Sequence, residues 1–331
     1  MDDQLLEIRN LTVSFDTDDG VFSAVDNVSF NVKKGEIVGL VGESGCGKSV
    51  TSLSILKLLP TPPAKIESGQ VLFNGQDLLK MNAADLQELR GKSISMIFQE
   101  PLSALSPLQR IGPQLVEALK LHKDISKKDA WHFAQNWLEK VRIPDAAERM
   151  FTYPFQLSGG MQQRVMIAMA MMLEPSLIIA DEPTTALDVT IQARIFSLIK
   201  EMRQEKTSIL LITHDMGVIW EMCDRVVVMY ASRIAEEAGK EDIFASPAHP
   251  YTRGLLQSIP KLAVDTDRLQ AIPGQVPSPL DYPSGCHFRD RCLHAFDRCA
   301  QENPPQIKLS NGHRAACWIA KKLIREEFSL G

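Results

Sequence analysis

The chain has 331 residues, 44% of them hydrophobic and 23% charged. That length and balance suit a folded protein of about two domains and exclude a chain disordered throughout. Lys and Arg total 36 against 41 Asp and Glu, a net charge of −5, the reverse of the basic excess usual in proteins that neutralise nucleic-acid phosphates. The N-terminus, Met1-Asp2-Asp3-Gln4, lacks the basic and apolar segments of a secretory signal. The longest apolar run, Val165 to Leu173, has nine residues, against the roughly 20 that span a bilayer as a helix. The chain is therefore expected in the cytosol or on a membrane surface.

In chain order, Leu5–Phe15 alternates apolar residues and Asp16–Gly20 reads as a turn. Val28–Val32 and Glu36–Val41 read as strands separated by Lys33-Lys34-Gly35, and Asn74-Gly75 after Val71-Leu72-Phe73 is a hairpin signal. Residues 83–173 are expected to be mostly helical. Leu177–Ala180, Ile209–Thr213 and Val226–Met229 read as short buried strands, with helices over Ile191–Glu205 and Met216–Met222 between them. Strands alternating with helices imply an α/β fold with a parallel sheet. Prolines and histidines gather beyond residue 245, which sets a boundary near 240–260 and a loop-rich appendage after it.

Gly42-Glu43-Ser44-Gly45-Cys46-Gly47-Lys48-Ser49 fills the pattern G-x-x-x-x-G-K-[ST], between the strand Ile37–Val41 and a helix expected over Val50–Leu59. Backbone N–H groups of such a loop, through Val50, cradle phosphates at a helix N-terminus. Lys48 is expected to reach the β- and γ-phosphates of ATP, and the Ser49 hydroxyl to ligate Mg²⁺. Cys46, beside that helix N-terminus, is expected to have a lowered thiol pKa and to be shielded from alkylation by bound MgATP.

Leu177-Ile178-Ile179-Ala180 leads into Asp181-Glu182. Asp181 suits a Mg²⁺ ligand, and Glu182 a general base for the attacking water. Upstream, Leu157-Ser158-Gly159-Gly160-Met161-Gln162-Gln163-Arg164 opens a second helix whose N-terminus could meet a phosphate.

This last segment resembles the signature of ABC-type ATPases, and the order of the surrounding motifs agrees over nearly the whole chain. The resemblance implies a P-loop ABC nucleotide-binding domain with a mixed sheet core, an antiparallel β subdomain and an α-helical signature subdomain. It implies that Phe15 stacks on adenine, that Gln99 meets Mg²⁺ and the attacking water, and that His214 contacts the γ-phosphate. Ala186-Leu187-Asp188 matches the D-loop. Ser158, Gly159, Gly160 and Gln162 would act in trans, on ATP held by the partner of a head-to-tail pair.

Phe98–Pro107, His249-Pro250-Tyr251-Thr252-Arg253-Gly254-Leu255-Leu256 and Ile272–Pro277 resemble the peptide-importer branch, most of all its D-type subunit. The domains expected are a cassette over 1–245, with its helical part at about 100–173, and an extension over 246–331. The partners implied are a second ABC ATPase in a heterodimer, two membrane permeases and a periplasmic or extracellular solute-binding protein, at the cytoplasmic face of the inner membrane. Dipeptides and oligopeptides are the expected solutes, with nickel, microcin and oligosaccharide as alternatives in the same branch. A nucleic-acid-linked ABC ATPase is disfavoured by the single cassette and the acidic balance.

Four of the six cysteines, Cys286, Cys292, Cys299 and Cys317, stand at C-x5-C-x6-C-x17-C. In a cytosolic chain such a group reads as a metal site before disulfides. Structural zinc usually shows shorter knuckles. Four thiolates suit a [4Fe–4S] cluster, as the importer resemblance also implies, with Zn²⁺ as the alternative. His287, His294 and His313 lie nearby without a required role.

Overall fold

The computed structural model describes residues 3–184, 188–259, 272–309, 312–326 and 328. Its contacts divide into two compact units. One comprises residues 33–35 and 80–212. The other holds the described residues within Asp2–Val32, Glu36–Leu79 and Thr213–Gly331.

In the first unit, the strands Ile94–Ile97, Leu177–Asp181 and Ser208–Thr213 run parallel in that order, with Ile97 opposite Ala180 and Ala180 opposite Leu211. Leu177–Asp181 and Ser208–Thr213 are buried along their whole length, as unbroken apolar runs of a parallel sheet are. The strand Ile94–Ile97 corrects the expectation of helix there: four apolar-rich residues are too few for periodicity to tell strand from helix. Around it the helical expectation holds. Ile111–Lys120 buries Ile111, Leu115 and Leu119, one stripe at i, i+4 and i+8. Ser126 starts Lys127–Lys140 by accepting a hydrogen bond from the Asp129 N–H at 3.1 Å. Gly159–Met171 is the helix of the signature segment, and Val189–Met202 starts on Asp188.

The second unit opens with two 14-residue strands, Gln4–Thr17 and Gly20–Lys33. With Ala64–Phe73 and Gln76–Asp77 they form a four-stranded sheet. Phe73 pairs with Gln76 across Asn74-Gly75, where φ is 47° and 81°. Positive φ at both central residues is the hairpin geometry that Asn-Gly favours. A second, mixed sheet carries the site. Ile37–Val41, buried throughout, runs parallel to Arg225–Tyr230, which pairs antiparallel with Arg233–Gly239. The short strands Arg314–Ala315 and Ile307–Lys308 extend that edge. An ion-pair network crosses this sheet. Arg225 donates to Glu36 at 2.8 Å and bridges to Glu237, which also pairs with Arg314. Among its described residues the last segment builds a small core around Ala248, Ala315 and Ala320. Among the described residues no helix is long and apolar enough to cross a membrane.

Candidate functional site

The phosphate-loop pattern folds as its residue types require. The strand Ile37–Val41 delivers the chain to Gly42, and the helix Lys48–Ile55 starts after Gly47, which has φ 103°. A Cβ on Gly47 would lie 2.3 Å from the Ala24 carbonyl oxygen, and one on Gly42 would lie 2.2 Å from that of Met229. Only glycine fits either position. Ser44 and Gly45 are exposed at the loop tip, with Ser49 and Val50 half-buried on the helix. Lys48 is buried and its Nζ donates to the carbonyl oxygens of Gly42 at 2.7 Å and Glu43 at 3.1 Å. The ammonium is thus held inside the loop by two neutral acceptors that a phosphate oxygen can outcompete.

Cys46 departs from expectation. Its side chain is fully buried, and burial pushes the thiol pKa up, against the lowering effect of Lys48. A helix N-terminus lowers a thiol pKa only where solvent, a cation or a hydrogen-bond donor is free to stabilise the thiolate, and here burial outweighs Lys48. Phe15, half-buried on its strand, stacks on Phe22 with centroids 5.7 Å apart.

In the first unit, Asp181 is buried at its strand end. Glu182 follows at φ 43°, a left-handed conformation costly for a residue with a Cβ, and its N–H donates to Ile212 O at 2.9 Å. The Gln99 amide donates to Glu182 Oε2 at 3.3 Å. Two residues 83 apart in sequence thus meet as a carboxylate and its polar partner. Ser158 and Gly159 are exposed at the head of the signature helix. Gln162 is committed elsewhere: its amide donates to Pro154 O at 2.8 Å and Leu157 O at 3.2 Å, tying down the turn before the helix. The buried Gln163, to which no role was attached from sequence, donates to Pro183 O beside Glu182. Asp188 caps its helix, accepting from the Ile191 N–H at 2.9 Å. Ala186 and Leu187 of the same motif lie outside the described residues.

His214 is exposed between the buried strand Ser208–Thr213 and the helix Met216–Met222. The chain on either side is fixed: the Asp215 N–H donates to Thr213 Oγ1 at 3.1 Å, and Asp215 Oδ1 accepts from the N–H of Gly217 at 2.8 Å.

The late segment reaches the phosphate loop within the second unit. Glu43 meets Tyr251 through its N–H and Arg291 through its carboxylate. Pairing signals between such distant residues are absent from a single sequence. The His249-Pro250-Tyr251 motif is the one local clue, since His249 Nδ1 accepts from the Tyr251 N–H at 3.0 Å and starts the helix Pro250–Gln257. Burial pushes His249 down to about 4.

Cys286, Cys292, Cys299 and Cys317 line one small cavity together with His294, Phe296 and Trp318. The Cys286 N–H donates to Cys299 O at 2.8 Å, and the Arg298 guanidinium lies 3.6 Å from the Trp318 ring centre. Burial, and then the neighbouring thiols, push Cys292 up to about 11 and Cys317 up to about 12. Among the described residues, no group of three or more His, Cys, Asp or Glu side chains is arranged to hold a metal ion.

Two family models match the chain: ABC transporter over residues 25–185, and the C-terminal region of oligopeptide/dipeptide transporters over residues 235–299. A dipeptide transport ATP-binding protein, DppD of Bacillus subtilis, is 48% identical over 96% of this chain and 95% of its own. An oligopeptide transport ATP-binding protein, OppD of Escherichia coli, is 45% identical over 96% of this chain and 93% of its own. Among solved structures, a dimeric ATP-binding cassette bound to ADP and Pi in a post-hydrolysis state superposes with a TM-score of 0.64 at 27% identity. It covers 71% of this chain and 99% of its own.

Proposed function

The chain belongs to the ABC transporter family of ATP-binding subunits, in the branch with the oligopeptide/dipeptide transporter C-terminal region, and on that premise we propose that it hydrolyses ATP to drive peptide uptake. The observation that carries this reading is the succession of both family regions along one chain, with the complete phosphate loop at its head. We assign a cassette to residues 1–245, with its helical part at about 100–173, and a peptide-importer extension to 246–331.

In this reading the N–H groups of Gly42 to Val50 take the phosphates, Lys48 moves from its carbonyl partners to the β- and γ-phosphates, and Phe15 stacks on adenine. Ser49, Gln99 and Asp181 offer the hard oxygen donors that suit Mg²⁺, which when bound neutralises phosphate charge. Glu182 takes a proton from the attacking water. The hydrogen bond from Gln99 supports that role, because it orients the carboxylate. His214 meets the γ-phosphate. Ser158, Gly159 and Gly160 serve ATP held by a second, related ATPase in a heterodimer; the exposure of Ser158 and Gly159 supports this, and Gln162 holds their turn in shape. Asp188 fixes the start of the following helix.

Two permeases and a solute-binding protein complete the assembly, at the cytoplasmic face of the inner membrane. The four cysteines would hold a [4Fe–4S] cluster, which supplies a structural cross-link to a segment with a small core. Two features support that fit: all four thiols line one cavity, with His294 as a further donor beside them, and Trp318, another residue of that lining, has a buried indole N–H without a hydrogen-bond partner. Zn²⁺ is the alternative, with tighter tetrahedral thiolate geometry.

The test is extraction of the tagged chain from its own membranes. We expect two integral membrane subunits and a second ATPase to copurify, and dipeptide with its binding protein to raise ATP turnover. A homodimer free of membrane subunits, with turnover indifferent to peptide, would contradict the proposal. Anaerobic preparations are expected to be brown, absorbing near roughly 400 nm. A colourless one with stoichiometric zinc would replace the cluster by zinc.

A further inference from the structure

Glu43 sits at the second position of a loop built to receive a polyphosphate, and a carboxylate there opposes the ligand's charge. The late segment answers that problem. Arg291, 248 residues away, grips the Glu43 carboxylate with both arms of its guanidinium, Nη1 to Oε2 at 2.7 Å and Nη2 to Oε1 at 3.0 Å. Two parallel charge-assisted bonds are the strong, direction-fixing form of this contact.

The arginine is itself held. Its Nε donates to Pro273 O at 2.9 Å, and its guanidinium lies 5.7 Å from the Tyr230 ring centre and 5.9 Å from that of Phe288. Its side chain is 5% exposed against 30% for Glu43. The anchor is therefore rigid and the loop residue is what it steadies.

Tyr251 supplies a second grip. It is fully buried, and its hydroxyl accepts the Glu43 N–H at 2.8 Å. Tyr230, Tyr251 and Phe288 pack with ring centres 4.6 to 5.4 Å apart, which leaves that hydroxyl no freedom to swing away. With Lys48 on the Glu43 carbonyl, every polar group of Glu43 is engaged, two of the three by residues of the extension.

We propose that Arg291 and Tyr251 brace the phosphate-binding loop through Glu43 and thereby set its affinity for ATP. This rests on the reading of Gly42–Ser49 as the ATP site. Arg291 acts in two ways: it neutralises the carboxylate that would repel the triphosphate, and it holds the first half of the loop in place before nucleotide arrives. Both act on binding rather than on the chemical step. The variable second position of the loop thus becomes the point where the C-terminal segment regulates the cassette. By linkage the effect is reciprocal: bound nucleotide stabilises the docking of the segment around Arg291.

The test is nucleotide affinity, measured with a fluorescent ATP analogue on the full-length protein. Arg291→Ala is expected to raise Kd about tenfold, raising KM with little change in kcat. Glu43→Gln added to Arg291→Ala removes the unpaired charge but not the lost grip, and is expected to recover part of the loss, leaving Kd about threefold above wild type. Tyr251→Phe, which keeps the buried ring, is expected to weaken binding about threefold. Hydrogen exchange gives an independent readout: MgATP is expected to slow the amides of residues 286–292 in wild type and not in Arg291→Ala. Metal content and melting temperature are followed in each variant, so that loss of the fold or of a metal is seen directly. Wild type that fails to bind the analogue would refute the ATP site itself. Folded Arg291→Ala that binds as tightly as wild type would overturn the brace, and full recovery on adding Glu43→Gln would overturn its holding role.

Discussion

The amide of Gln99 donates to Glu182 Oε2 at 3.3 Å, and Glu182 itself stands at φ 43° at the end of a buried strand. A carboxylate held by an unfavourable backbone and a side-chain donor has a defined direction. We predict that Gln99→Ala lowers kcat by about 10- to 100-fold with a smaller rise in KM for MgATP, because the base loses its orientation while Ser49 and Asp181 still offer donors to Mg²⁺. Steady-state hydrolysis measures both numbers. A rise in KM at unchanged kcat would remove Gln99 from the alignment of Glu182.

Gly47→Ala is predicted to abolish nucleotide binding. The new Cβ would fall 2.3 Å from Ala24 O at a φ of 103°, so the loop must open to admit it. Equilibrium dialysis with labelled ATP checks this. Binding at wild-type strength would mean that the loop has slack at this position.

Cys46 is predicted to be inert. With the thiol fully buried and its pKa raised by burial, iodoacetamide at neutral pH is expected to leave it unmodified with or without MgATP, and to reach it only after unfolding. Peptide mass mapping reads the outcome. Fast modification suppressed by MgATP would restore the reactive-thiol reading.

The phosphate loop was legible because it is local: eight contiguous residues, a strand before and a helix after, carry the whole instruction. The positions of Glu182 and His214 at the ends of strand-like runs are local in the same way, whereas the role expected of His214 came from the family resemblance. What escaped is set by distance or burial. Glu43 with Arg291 is a pair 248 residues apart. The raised thiol of Cys46 comes from what packs over it, not from its neighbours in sequence. Gln162 and Gln163 are adjacent on a helix and point to different partners, which composition cannot separate: one ties the preceding turn and the other reaches Pro183. Asp188 carried a readable local signal, an aspartate before a helix, and it serves as that cap.

His249 gives the fold a pH dependence with a defined sign. Burial lowers its pKa from 6.5 to about 4, although the Glu236 carboxylate, which also accepts from His313, pulls the other way. The unfolded chain therefore binds the proton first as pH falls. The stability from burying the neutral ring is complete above about 6.5 and is lost as pH drops toward 4, about 2 kcal/mol of it by pH 5. We predict that His249→Asn, which keeps a helix-capping acceptor, loses less stability between pH 7.5 and pH 5 than wild type does. Urea unfolding at the two pH values measures this. Equal losses would show that His249 does not govern the acid limb.

The central claim is that ATP hydrolysis with Glu182 as its general base powers solute movement, and Glu182→Gln tests it most directly. The amide keeps the size of the side chain and cannot accept the proton. In the complex with its membrane subunits, reconstituted in vesicles, ATP hydrolysis at this chain's site and ATP-driven dipeptide uptake are to be measured together for wild type and Glu182→Gln. The account predicts that ATP still binds, while hydrolysis at that site falls at least about 100-fold and uptake stops with it. Uptake and hydrolysis at wild-type rates in this variant would contradict it.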